Sequence, residues 1–187
     1  MDSQPIIELL VRQGELTALL GSMFARKTTH LRSLCKGRAI FYPRYYQNME
    51  QQLQTHDNDT IEEAIIIEDP RSMLMWDLNI FPIDEISLWG DQSAALLETI
   101  CKLLERNKAI VVAGFDKDVN GQEPLIITDI KKIASKLIYL RPKCSQCGRP
   151  ANRTEKVGGN YSQVIQGGES KYEPRCSLHF TPAWKKV

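Results

Sequence analysis

The sequence has almost no charge of one sign to spare: 24 Lys and Arg stand against 23 Asp and Glu, leaving +1 over 187 residues. A surface so balanced exerts no general pull on nucleic acid or on a membrane, and neither is an expected partner. Long apolar runs are missing as well; none approaches the roughly 20 residues that a membrane helix needs. Met1-Asp2-Ser3-Gln4-Pro5 lacks the basic start and apolar stretch of a secretory signal. The expected compartment is therefore the cytoplasm, where thiols stay reduced. No internal repeat or low-complexity tract interrupts the chain. What is present suits a globular protein: 42% hydrophobic residues, enough for an ordinary core. The length fits one large domain, or a main domain with a small satellite.

Five cysteines in a reducing compartment point to metal or catalysis before disulfides. Cys35 and Cys101 each sit alone in helix-like apolar patterns and read as buried, inert thiols. The other three are organised. Cys144-Ser145-Gln146-Cys147-Gly148 puts two thiolates on a tight turn, and Cys176-Ser177-Leu178-His179 continues the theme, ending in an imidazole. Three thiolates and one histidine complete the closed tetrahedral shell of a structural zinc site, with no position left open for catalysis. Past Arg141-Pro142 the chain turns to glycines, polar residues and metal-ligand types with no second apolar core. The expected division is 1–142 for a main domain and 143–187 for a zinc lobe. A lobe this small depends on its metal for much of its stability.

Before residue 142, short apolar runs alternate with helical patterns. Leu16–Leu20, bounded by Gly21, reads as a buried strand. Lys27–Cys35 reads as a short helix stopped near Gly37, and Arg38–Tyr42 as a second strand ended by Pro43. Residues 44–60 form a polar and aromatic connection, and Ile61–Ile67 fits a strand or a short helix. Asn79–Asp84 looks like a strand, with a bulge or irregular end expected at Pro82 because proline lacks a ladder donor. Ala94–Leu104 has amphipathic helix spacing. The continuous run Ala109–Ala113 marks a strand covered on both faces. Ile130–Ala134 reads as helix and Lys136–Leu140 as the last strand. Such alternation predicts a mainly parallel sheet with helices on both faces.

Directly after the first strand comes Gly21-Ser22-Met23-Phe24-Ala25-Arg26-Lys27-Thr28. A phosphate-binding loop needs a strand, a glycine turn, then Lys and Ser/Thr opening a helix. Loop amides and the helix start cradle phosphate oxygens, the lysine reaches the terminal phosphates, and the hydroxyl binds magnesium. Gly21, Lys27 and Thr28 hold those positions. Arg26 stands where the pattern places a second glycine. Alone, the segment also fits an ordinary strand–helix turn. Asp84-Glu85, at the end of a later strand, adds a carboxylate for the magnesium complex and a neighbour able to take a proton from an attacking hydroxyl. An exposed acidic turn is the plainer reading of that pair. Both elements stand at carboxyl ends of strands, where open α/β sheets bind ligands.

Together these pieces resemble the thymidine kinase family of the zinc-containing type. The resemblance is carried by Gly-Ser-Met-Phe-Ala-Arg-Lys-Thr-Thr at 21–29, Thr55-His56-Asp57, Ile83-Asp84-Glu85, Ala113-Gly114-Phe115-Asp116 with Pro124, and the stretch from Cys144 through Gly167-Gly168 and Lys171-Tyr172 to Cys176 and His179. It implies a P-loop NTPase-like fold with a small C-terminal zinc-ribbon lobe, and ATP-dependent phosphorylation of the 5′-hydroxyl of thymidine or deoxyuridine with magnesium. On that resemblance Glu85 is the general base. The loop residues Gly21, Ser22, Met23, Phe24, Ala25, Arg26, Lys27 and Thr28, with Asp84, handle ATP and metal. Met23, Val119 and Tyr172 line the nucleoside pocket, and Gln163, Val164, Ile165, Gln166 and Gly167 close over it. A homo-oligomer, a tetramer by the family's habit, is implied as well. The departures are Arg26 for glycine, His30 for glutamate, Ile86-Ser87-Leu88-Trp89 for Gly/Ala-Gln-Phe-Phe, and Val119 and Leu125 each for a phenylalanine. The helix after the loop is about two turns short. Trp89 is placed by proximity to supply the missing ring, or more simply as a buried structural tryptophan. Retention of Lys27, Thr28, Asp84 and Glu85 favours an enzyme; Arg26 is what a non-catalytic structural or regulatory homologue would carry.

Overall fold

A computed structural model describes residues 11–44, 64–158 and 171–186. Six strands form one wholly parallel sheet: β1 (Leu16–Gly21), β2 (Ile40–Pro43), β3 (Ala64–Ile67), β4 (Ile80–Ile83), β5 (Ala109–Gly114) and β6 (Lys136–Leu140), in the spatial order β3-β2-β4-β5-β1-β6. β4 and β5 are the two central strands, and β1 lies beside β5. β1 and β5 are buried along their whole lengths and pair from Leu16↔Ile110 to Leu20↔Gly114.

Alternation along each strand divides the apolar residues between two cores. Leu16, Ala18 and Leu20 of β1 face one side, with Phe41, Phe81, Ile83, Ile110 and Val112. There they meet α2 (Ser93–Glu105) through Leu96, Ile100 and Leu103, and α3 (Leu125–Ile133) through Ile126, Ile127 and Ile130. Leu19, Ile40, Tyr42, Val111 and Ala113 face the other side and pack on Leu31 and Cys35 at α1 (Lys27–Leu34). Helices thus cover both faces.

Three local expectations are corrected. β4 has no bulge: its register with β5 runs unbroken through Pro82↔Val111. The reason is directional. Asn79 accepts from the Ala109 amide on the β5 side, while the Asp84 amide donates to Phe41 on the β2 side. Alternation therefore turns the proline nitrogen toward β2, where pairing is limited to Phe41↔Ile83. α3 begins at Leu125, five residues before the expected start, because extended Pro124 (φ −61°, ψ 142°) launches it. Its exposed first residue, Leu125, hides the turn from a search for apolar spacing. Cys101 is half-buried rather than buried, whereas Cys35 is buried and its thiol is pushed up to about 12 by burial. Trp89 lies in the main core, its indole N–H donating to the Asp84 carbonyl at 3.4 Å. It is structural.

After β6 a two-stranded antiparallel ribbon, β7 (Arg153–Lys156) with β8 (Tyr172–Arg175), stands beside the Cys/His cluster. The expected Thr55-His56-Asp57 element and Gln163–Gly167 lie outside the described residues. Among the described residues no helix is long and apolar enough to cross a membrane.

Candidate functional site

β4, β5 and β1 are neighbours and parallel, so their carboxyl ends open on one edge. β1 delivers the loop 21–28, β4 delivers Asp84 and Glu85, and β5 delivers Phe115 and Asp116. The loop's first residue has to be glycine. A Cβ on Gly21 would stand 2.3 Å from the Leu140 carbonyl oxygen of the adjacent strand. The arch then passes through two left-handed residues, Phe24 (φ 65°) and Arg26 (φ 57°). Arg26 thus holds a left-handed conformation that glycine adopts freely and other residues adopt at a strain of roughly 1–2 kcal/mol. Its side chain is exposed.

α1 opens at Lys27 and Thr28. The buried Lys27 ammonium donates to the Ser22 carbonyl at 2.9 Å and lies 4.3 Å from the Phe115 ring centroid. Burial pushes its pKa down, and the nearby Glu85, Asp84 and Asp116 carboxylates oppose that. Thr28 donates from Oγ1 to Asp84 Oδ2 at 2.7 Å, and the Tyr42 hydroxyl donates to the same oxygen at 3.2 Å. The Glu85 amide donates to Asp84 Oδ1 at 2.8 Å. Burial raises the Asp84 pKa, while Thr28, the Glu85 amide, Lys27 and Tyr42 counter it by favouring the carboxylate. Burial destabilises both charges, and each restores part of the other's stability. Glu85 sits in a left-handed conformation, φ 50° and ψ 40°, just outside β4. Non-glycine residues are held there only when their surroundings dictate it, and such strain collects at working sites. The surroundings here are tight. A Cβ on Gly114 would stand 2.6 Å from Ile86 Cγ1, so the turn after Glu85 packs against bare β5 backbone. Ser22 Oγ and Asp116 Oδ1 are buried and make no hydrogen bond among the described residues. Two orphaned oxygens beside a buried lysine suit a site built to receive a polar ligand.

The second site is the predicted metal centre. Cys144, Cys147, Cys176 and His179 converge so that their ligand atoms all lie within 4.8 Å of one another. Cys147 and Cys176 sulfurs are 3.7 Å apart, and His179 Nδ1 is 3.7 Å from Cys144 Sγ and 3.6 Å from Cys176 Sγ. A zinc tetrahedron with bonds of about 2.3 Å to sulfur and about 2.0–2.1 Å to nitrogen has S···S near 3.8 Å and S···N near 3.6 Å. The donors fit the ion. Burial disfavours the Cys144 thiolate, but backbone amides at Cys176, Gln146 and Cys147 together with His179 outweigh it and lower its pKa to about 5. The Arg149 side chain leads in holding Cys147 below the usual thiol range. Deprotonated sulfur is the form a metal requires.

Of the residues expected at the nucleoside, Met23, Val119 and Tyr172 come together in one apolar cluster, which also holds Phe24 and Ala183. The Met23 amide donates to Thr154 Oγ1 of β7 at 2.9 Å, which ties the loop to the β7–β8 ribbon. Sequence reading missed Tyr42, Thr154 and Ala183. Tyr42 could have been suspected from its place at the end of β2. The other two carry no sequence signal, because they meet the loop only through the tertiary fold.

A family model described as "Thymidine kinase" matches residues 14–180. The chain is 29% identical over 182 residues to a thymidine kinase of Bdellovibrio bacteriovorus, covering 91% of this chain and 87% of that one. It is 28% identical over 190 residues to a thymidine kinase of Coprothermobacter proteolyticus, covering 92% of this chain and 93% of that one. Among solved structures, domain III of the replication initiation protein DnaA from Thermotoga maritima aligns with a TM-score of 0.42 and 14% identity, over 68% of this chain and 55% of that one.

Proposed function

Because this chain belongs to the thymidine kinase family, we propose that it transfers the γ-phosphoryl group of ATP to the 5′-hydroxyl of thymidine or deoxyuridine. The observation that carries the reading is the 2.7 Å contact between Thr28 and Asp84, two residues 56 positions apart that meet beside Lys27 and Glu85 at adjoining strand ends. Hydroxyl and carboxylate are the pair that would hold magnesium, which when bound supplies positive charge to the β- and γ-phosphate oxygens.

In this reading Lys27 exchanges the Ser22 carbonyl for a phosphate oxygen and neutralises charge as the phosphoryl group moves. Loop amides and the start of α1 orient the phosphates. Glu85 accepts the proton of the 5′-hydroxyl as that oxygen bonds to the γ-phosphorus and the bond from the γ-phosphorus to the bridging oxygen breaks, releasing ADP. Little covalent work falls to the protein; position and charge supply the rate. The cluster around Val119, Tyr172 and Met23 holds the base, and the zinc centre, with knuckles on either side of Val157–Lys171, anchors the segment that closes over it. A homo-oligomeric, cytoplasmic enzyme belongs to the same reading.

Arg26 favours a second reading, a homologue that keeps fold and zinc but has lost turnover. Its side chain is exposed and its backbone adopts a conformation open to glycine, and Lys27 and Thr28 still open α1 directly after it, which supports the enzyme. The test is incubation of the zinc-loaded protein with magnesium-ATP and each deoxynucleoside in turn. Monophosphate and ADP in equal amounts are expected with thymidine or deoxyuridine. No monophosphate from any nucleoside, with no ATP-dependent rise in melting temperature, would overturn the assignment.

A further inference from the structure

The segment after the last metal ligand is built into the protein at several points. His179 leads into Phe180–Pro182 and then a single 3₁₀ turn, Ala183–Lys186. Its backbone is tied to the loop that carries Val119: the Ala183 amide donates to the Val119 carbonyl at 3.2 Å, and the Trp184 amide donates to Asn120 Oδ1 at 3.3 Å. The Ala183 methyl, 1% exposed, packs in the same cluster as Val119, Tyr172 and Met23.

The turn's far end is held by charge. Lys186 Nζ lies 2.5 Å from Glu155 Oε1 and donates to the Lys156 carbonyl at 2.9 Å. Glu155 is itself buried on β7, between Lys186 and the Arg175 guanidinium 3.4 Å away. Its second oxygen also accepts the Thr181 amide at 3.1 Å. A carboxylate with this many partners fixes the turn at both ends. Next to Glu155 is Thr154, whose hydroxyl receives the Met23 amide of the phosphate loop. One short turn thus touches the base cluster directly and the phosphate loop through two adjacent residues of β7, Glu155 and Thr154.

We propose that Ala183–Lys186 forms a wall of the nucleoside pocket, with Ala183 as a specificity-determining contact and Lys186–Glu155 as the latch that holds the wall. The proposal rests on the nucleoside kinase reading above and goes beyond it by giving the C-terminal turn a part in choosing the base. Opening the latch loosens the wall that the nucleoside meets, while Lys27, Thr28 and Asp84 of the ATP side keep their own contacts at β1, α1 and β4. Enlarging Ala183 changes the space available at the base and so changes which pyrimidine fits.

The experiment compares the zinc-loaded wild-type chain with Lys186→Met, Lys186→Arg and Ala183→Leu. Thymidine and deoxyuridine are titrated under turnover, and zinc content and circular dichroism check the fold. Lys186→Met is expected to raise the KM for thymidine about tenfold while kcat and the KM for ATP move less than twofold; Lys186→Arg restores most of the affinity. Ala183→Leu is expected to change the thymidine-to-deoxyuridine ratio of kcat/KM at least fivefold, whereas a merely structural role would move both substrates together. Should Lys186→Met fail to fold, the Ala183→Leu ratio decides alone. Tail variants that are folded, active and unchanged in KM and ratio would overturn this proposal and leave the kinase reading standing. A folded wild-type protein that neither binds nor phosphorylates any deoxynucleoside would overturn both.

Discussion

At Arg26 the backbone turns as a glycine would turn it, φ 57° and ψ 32°, while bearing an exposed side chain. The consequence is measurable. Arg26→Gly relieves a left-handed penalty of about 1–2 kcal/mol and adds unfolded-state entropy worth about 0.5–1 kcal/mol, for a net gain of roughly 0.5–1 kcal/mol. For a chain of this size that raises the melting temperature by about 1–4 °C. A calorimetric scan showing a lower temperature would mean the arginine makes contacts that outweigh its strain. The neighbouring Asp84 presents the reverse case. Its carboxylate is buried and satisfied by Thr28, Tyr42 and the Glu85 amide. Thr28→Val leaves one of these bonds unmade at a buried charge, which costs on the order of 1–3 kcal/mol. Urea unfolding should report that loss, and magnesium-dependent ATP affinity should fall with it. Unchanged stability would place Thr28 outside the Asp84 network.

The elements differ in how plainly the chain announces them, and the reasons are physical. β1, β5 and β6 were legible almost to the residue. For β1 and β5 the reason is that strands covered on both faces are almost wholly apolar, and these two end at glycine. The edge strand β6 was legible because its apolar run Leu137–Leu140 stops at Arg141-Pro142. α3 was half legible: its buried Ile130 gave the pattern, but the exposed Leu125 and the launching Pro124 did not. The convergence of Cys144, Cys147, Cys176 and His179 was legible, since their spacing is short and their chemistry local. The contacts of Thr154 with Met23 and of Ala183 with Val119 were not, because only the folded chain joins positions so far apart in sequence. Close packing at the β1 end yields a prediction on the same scale. Gly21→Ala puts a Cβ 2.3 Å from the Leu140 carbonyl, a clash that backbone must move to relieve. A cost of about 1–3 kcal/mol is expected for such overpacking, read as a lower urea midpoint, together with lost ATP binding as the loop shifts off β6. An alanine variant with wild-type midpoint and ATP affinity would show that the strand end yields freely.

Across the whole molecule two supports of different kind meet. The six-stranded sheet is stabilised by two apolar cores and needs no metal. Among the described residues beyond 142, the buried apolar groups are two small clusters, Cys144, Ala151 and Cys176 at the Cys/His group, and Tyr172 and Ala183 against Val119. Chelation should therefore unfold the lobe and leave the sheet. Hydrogen exchange after zinc removal is expected to show lost protection in β7 and β8 with β1 and β5 unchanged, and nucleoside binding abolished. Full protection in the ribbon, with normal nucleoside binding, would separate the metal from the pocket. The sheet's own task is to bring Lys27, Thr28, Asp84 and Glu85 to one edge. That convergence is tested most directly by a single-turnover assay with labelled ATP, thymidine and magnesium, comparing wild type with Glu85→Gln. Wild type should release thymidine monophosphate, and Glu85→Gln should bind ATP within twofold of wild type while transferring phosphoryl about 10²–10⁴-fold more slowly, the usual worth of a general base. Equal transfer rates in the two proteins would contradict the account.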